Sequence, residues 1–151
     1  FATGTLGGEQ IAKAERLLGE LGREGLCRVV LIHHPPLTTE GRFKRLTDAA
    51  AFQAMIRRTG CELVLHGHNH RSEVARIVGP DGAVPVIGVT SASAAPGSKY
   101  GRARYHLISI MREATAWRFD VELRALRADG AGCEPDGRLT FHSGQPLAMV
   151  A

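Results

Sequence analysis

Two stretches, Val29-Val30-Leu31-Ile32-His33-His34-Pro35-Pro36 and Leu63-Val64-Leu65-His66-Gly67-His68-Asn69-His70, decide how this chain folds. The first opens as a short, continuously apolar and β-branched run, the pattern of a strand buried on both faces of a parallel sheet. Pro35 and Pro36 have no amide hydrogen for a strand ladder, so the strand must break into a loop at its histidines. Leu63 to Leu65 give a second short apolar strand, which also ends in histidines. Between them Thr47 reads as the cap of a helix with an inner stripe of Phe52, Met55 and Ile56 and a stop at Gly60. Strand, helix and strand within about forty residues make a βαβ unit, with parallel strands and a right-handed crossover.

Towards the amino terminus, Ile11, Ala14, Leu17, Leu18 and Leu21 follow helical spacing over residues 9–23, with Gly22 and Gly25 as stop signals. Towards the carboxyl terminus the texture changes to runs punctuated by Asp81-Gly82, Asp129-Gly130 and Asp136-Gly137, dipeptides that favour antiparallel hairpins. Trp117, Phe119, Val121 and Leu123 alternate with Arg118, Asp120, Glu122 and Arg124, so this strand has one apolar and one polar face. Residues 84–89 and 105–111 read as further strands, and 91–98 as a loop of small residues. No repeat, linker or second domain is evident, and 1–151 reads as a single, partial domain.

At 151 residues, 44% hydrophobic and 23% charged, the chain has the composition of a globular domain, one that buries roughly two thirds of its surface on folding. The net charge of +4 comes from scattered Lys and Arg, which argues against a nucleic-acid partner but suits an anionic substrate. Cys27, Cys61 and Cys133 are odd in number and widely spaced, so they read as buried small hydrophobes, neither a disulfide framework nor a thiolate metal site. No run is long enough to span a membrane and no basic-then-apolar leader opens the chain, so the expectation is a cytoplasmic protein without membrane contact.

If the two buried strands are neighbours, His33 and His68 lie just past strand ends about 4.8 Å apart, at the edge where open α/β sheets carry their sites. Gly67-His68-Asn69-His70 adds a second imidazole two residues on, and neutral imidazole suits zinc, iron and manganese. His33, His68 and His70 are therefore the candidate metal ligands. His34 is carried as a candidate catalytic residue, with ligand neighbour, phosphate contact and loop filler as its possible roles. Three histidines also suffice for one open zinc site.

Ile32-His33-His34-Pro35-Pro36 followed by Gly67-His68-Asn69-His70 resembles the last two motifs of the calcineurin-like metallophosphoesterases, especially the branch with the class III cyclic-nucleotide phosphodiesterases. The resemblance covers roughly residues 1–100. It implies an α/β fold, the carboxy-terminal half of a four-layer αββα sandwich: a βαβ unit followed by antiparallel strands. It also implies two divalent ions (Mn, Fe or Zn), His33 and His68 on one and His70 on the other, and hydrolysis of a small phosphoester such as a phosphodiester or cyclic nucleotide. In that family a bridging Asp, an Asp-x-His pair and an Asn-His segment bearing the proton donor come earlier in the chain. Here the only asparagine is Asn69, and all five aspartates follow the first histidine motif. The remaining ligands are thus expected from an amino-terminal half absent from these residues, and the 151-residue chain alone is expected to be inactive.

Lys99, Tyr100 and Arg102 follow the small-residue loop and are candidates for substrate phosphate, against the plainer reading of a solvated loop. His106 shares a strand face with Ile108 and Ile110 and reads as a core histidine, His142 as a surface one. The contiguous His-Asn-His letters do not match the nuclease motif of that name, whose residues spread over a hairpin and helix. A second functional reading is a non-catalytic fragment that self-associates through an exposed sheet edge.

Overall fold

The computed structural model describes residues 2–37, 45–99 and 101–145. The elements in order are α1 (Gly8–Arg23), β1 (Val29–Ile32), α2 (Ala49–Thr59), β2 (Leu63–His66), β3 (Glu73–Gly79), β4 (Gly82–Gly88), β5 (Arg104–Glu113), β6 (Ala116–Leu126) and β7 (Cys133–His142). The two apolar runs pair directly and in parallel, Val29 beside Leu63 and Ile32 beside His66, with α2 as the crossover. β2 pairs in parallel with β4, and β3 returns antiparallel on β4, giving a mixed sheet of order β1-β2-β4-β3. β5, β6 and β7 form a separate antiparallel sheet.

Strand alternation divides the side chains of the mixed sheet between two cores. Val30, Ile32, Val64 and Val86 pack on the helices with Leu18, Phe52, Met55 and Ile56. Val29, Leu63, Leu65 and Ile87 pack on Phe119, Val121 and Phe141 of the second sheet. The inner strands β2 and β4 are covered on both faces and accordingly read as largely apolar runs, whereas β3 at the edge alternates. Met55, Ile56, Leu63 and Phe119 are fully buried, and burying each such side chain contributes about 1.5–3 kcal/mol. The order helix layer, mixed sheet, antiparallel sheet is the expected α/β arrangement of a βαβ unit followed by antiparallel strands. Among the described residues, no helix covers the outer face of β5–β7, so three of the four expected layers are present.

Several local expectations are corrected. Asp48, not Thr47, occupies the N-cap position of α2 and makes no side-chain cap. Its carboxylate instead accepts hydrogen bonds from the amides of Leu6 and Gly7 at the start of α1, while Thr47 Oγ1 meets Thr5 Oγ1 at 2.6 Å. Asp136-Gly137 is no hairpin turn: the β6–β7 register shifts there, leaving Asp136 as the extra residue of a bulge. The β5–β6 hairpin turns instead at Ala114-Thr115, with Ala114 at φ 38°. Of the cysteines only Cys61 is buried; Cys27 is half-buried and Cys133 exposed. Burial, with Glu62 nearby, pushes the Cys61 thiol up to about 12, so it stays protonated and inert. No helix among the described residues is long and apolar enough to cross a membrane.

β1 has the sequence of an interior strand but the position of an edge strand. Leu31, its side chain directed into the space between the sheets, is 79% exposed. A cleft of about 550 Å³ opens there, with Leu31, Leu65, Ile87 and Ile108 among its apolar walls.

Candidate metal centre

His33 directly follows β1, where the chain leaves the sheet. Pro35 and Pro36 are fully buried, and Gln53 of α2 donates to the Pro36 carbonyl at 2.7 Å, so this loop is locked against the crossover helix. The loop after β2 is tied to it by the Gly67 amide, which donates to the His33 carbonyl at 3.2 Å, and is tightened by the Asn69 amide donating to Gly67. His68 and His70 adopt left-handed backbone, φ 68° and 55°. Side chains other than Gly enter that region rarely and at a cost of about 1–3 kcal/mol, and such residues cluster at functional sites.

The result is convergence. Nε2 of His33 and Nδ1 of His68 lie 3.2 Å apart and share a hydrogen bond, one of the two nitrogens carrying the hydrogen. Two donors on one tetrahedral ion, each at 2.0–2.1 Å, are separated by about 3.3 Å, so an ion can take the place of the shared hydrogen without moving the rings apart. His34 joins them, its ring centroid 4.1 Å from that of His68, and one nitrogen from each of His33, His34 and His68 falls within 4.8 Å of the others. This histidine cluster can hold a metal ion. His70 lies on the same loop but outside the trio, and among the described residues no carboxylate joins it.

Four of the five aspartates are engaged elsewhere: Asp48 on α1 amides, Asp120 with Arg118 and Thr140, Asp129 with Arg127, and Asp136 with Arg102 and Arg104. The fifth, Asp81, lies in the β3–β4 turn, in a hollow it shares with Arg28 and Glu62. Lys99 is exposed, Arg102 is paired with Glu134 and Asp136 and also donates to the Leu126 carbonyl, and Tyr100 lies outside the described residues. The structure thus places the Arg102 guanidinium in a clamp between the small-residue loop and β7.

His106 lines the inter-sheet cleft, and burial, aided by the positive charge of Arg104, holds its imidazole below the ordinary value. His66 also lines the cleft and was not singled out in the sequence. It is 6% exposed, its Nδ1 donates to the Gly67 carbonyl at 3.1 Å, and its ring lies on Gly88, where a Cβ would come within 2.6 Å. The signal available was a histidine ending β2, but the glycine that makes room for it is known only once β2 and β4 are paired.

Comparison with solved structures finds likenesses in fold. A double mutant of Vps29 from Entamoeba histolytica is similar in structure at 19% identity and a TM-score of 0.38, over 70% of this chain and 53% of that one. This chain thus spans about half the length of that protein. No protein-family model matches the chain, and no curated protein does.

Proposed function

We propose that this chain supplies the histidine half of a metal-dependent phosphoester hydrolase, whose activity belongs to a protein including further ligands. The observation that carries the reading is the 3.2 Å approach of His33 and His68 from the carboxyl ends of adjacent parallel strands. In this reading His33 and His68 bind one divalent ion and His70 a second. Bound there, such ions activate water near neutral pH and neutralise charge on the phosphoryl oxygens. The protein residues orient and restrain: Pro35 and Pro36 fix the first loop, and the Gly67–His33 hydrogen bond fixes the second. The cleft beside His33 accepts the non-reacting part of a small phosphoester such as a phosphodiester or cyclic nucleotide.

The test is hydrolysis of bis(p-nitrophenyl) phosphate with added manganese or zinc, by this chain and by a longer one that includes the preceding coding sequence. The reading expects turnover only in the longer chain and its loss in His68→Ala. Turnover that survives His68→Ala would contradict it. A second reading, self-association through the β1 edge, is favoured by the 79% exposure of Leu31 on a strand without charged or proline edge protection.

A further inference from the structure

The geometry points to His34 as a third ligand, through Nδ1, of the ion held by His33 and His68, so that this chain binds one borderline divalent ion with three imidazoles. The inference rests on reading His33 and His68 as ligands and adds a residue to them.

His34 Nε2 lies 2.8 Å from the carbonyl oxygen of Ala2. A carbonyl only accepts, so Nε2 carries the hydrogen and donates it, and in the neutral ring this tautomer leaves the lone pair on Nδ1. Metal-bound histidines nearly always show this arrangement, one nitrogen on the metal and the other donating to a carbonyl or carboxylate. His34 therefore has its outer hydrogen bond already in place.

Room for the ring is made by Gly4, where a Cβ would come within 2.4 Å of His34 Nδ1 and 2.6 Å of Cε1. Gly4 is itself fixed: its amide donates to the Arg45 carbonyl at 3.1 Å, and its carbonyl accepts from Thr47 at 2.8 Å. The chain on the other side of His34 is held by buried Pro35 and Pro36. A histidine that merely filled the loop would need neither arrangement. His33 and His68 are already 3.2 Å apart, so the 4.8 Å span of the trio belongs to His34, and bringing it to the roughly 3.3 Å of a tetrahedral pair takes about 1.5 Å of movement of the His34 ring towards the other two. Three neutral nitrogens without a carboxylate favour zinc, cobalt or nickel over magnesium or calcium, and leave at least one coordination position open.

The experiment is cobalt(II) titration of the 151-residue chain followed by visible absorption, with zinc-loaded long-range ¹H–¹⁵N spectra of the histidines as a second readout. Expected are one ion per chain, a metal-induced shift of His34 Nδ1, and binding weakened at least tenfold in His34→Ala and in Gly4→Val, with His142→Ala as an unaffected control. The zinc spectra need no variant, so the outcome does not depend on any substitution folding. An unshifted His34 Nδ1 in a chain that binds metal would overturn the role of His34 while leaving His33 and His68 as ligands. Absence of any binding by the unaltered chain would overturn both.

Discussion

Arg28 and Glu62, the residues immediately before β1 and β2, form a two-pronged ion pair: Nη2 and Nε of Arg28 donate to the two carboxylate oxygens at 2.7 and 3.0 Å. The same guanidinium donates to the carbonyls of Leu18 in α1 and Thr59 in α2, and the Arg28 amide donates to Glu62. One side chain thus joins both helices to the amino ends of both strands. Since the strands run in parallel from Val29 beside Leu63, the register clamped at this end delivers His33 and His68 together at the other.

Arg28→Ala should therefore be among the most damaging single substitutions. The pair is largely buried, at 10% and 12% side-chain exposure, and removing one partner leaves the other carboxylate without its cation. The expected loss is about 3–5 kcal/mol, read as a lowered urea midpoint. A loss below about 0.5 kcal/mol, the range of ordinary surface substitutions, would show that the clamp does not hold the strands.

Leu31→Lys tests the unprotected edge. Leu31 contributes little to its own fold at 79% exposure, so thermal stability should stay within about 0.5 kcal/mol of the original. Self-association should fall, because a lysine on an edge strand opposes strand addition. Sedimentation velocity at increasing concentration should show a rising average mass for the unaltered chain and a constant one for the variant. A unaltered chain that remains monomeric throughout would remove the self-association reading.

His106 should make stability depend on pH. Burial and Arg104 hold its native pKa below 6.5, so just under pH 6.5 the unfolded chain takes up a proton that the folded chain does not. Stability rises with pH wherever the unfolded state binds more protons. The contribution is therefore complete above pH 6.5, declines as pH falls through that value, and levels off below the native pKa. Relative to the unaltered chain, His106→Gln should flatten Tm against pH between 7 and 5. Parallel profiles would contradict the burial argument.

Much of this was legible in advance, for identifiable reasons. Val29 to Ile32 and Leu63 to Leu65 announced themselves by composition, and Phe52, Met55 and Ile56 by helical spacing; all lie where those patterns require. Features that depend on partners distant in sequence were not legible. Asp48 serves α1 instead of capping its own helix because Leu6 and Gly7 lie beside it. Asp136-Gly137 carries a turn's letters, but Arg102 and Arg104 hold Asp136 as a bulge. The approach of His34 to His68 depends on the missing side chain of Gly4, thirty positions upstream of His34. His70 was grouped with His33 and His68 by motif, whereas the structure brings His34 to them.

The central claim is that the ends of β1 and β2 together hold a divalent ion. Its most direct test is zinc content, measured by elemental analysis after dialysis, of the unaltered chain and of His33→Ala and His68→Ala. The account predicts close to one ion per unaltered chain, and substantial loss in each variant while its circular dichroism is unchanged. Equal zinc content in all three, or none in the unaltered chain, would contradict it.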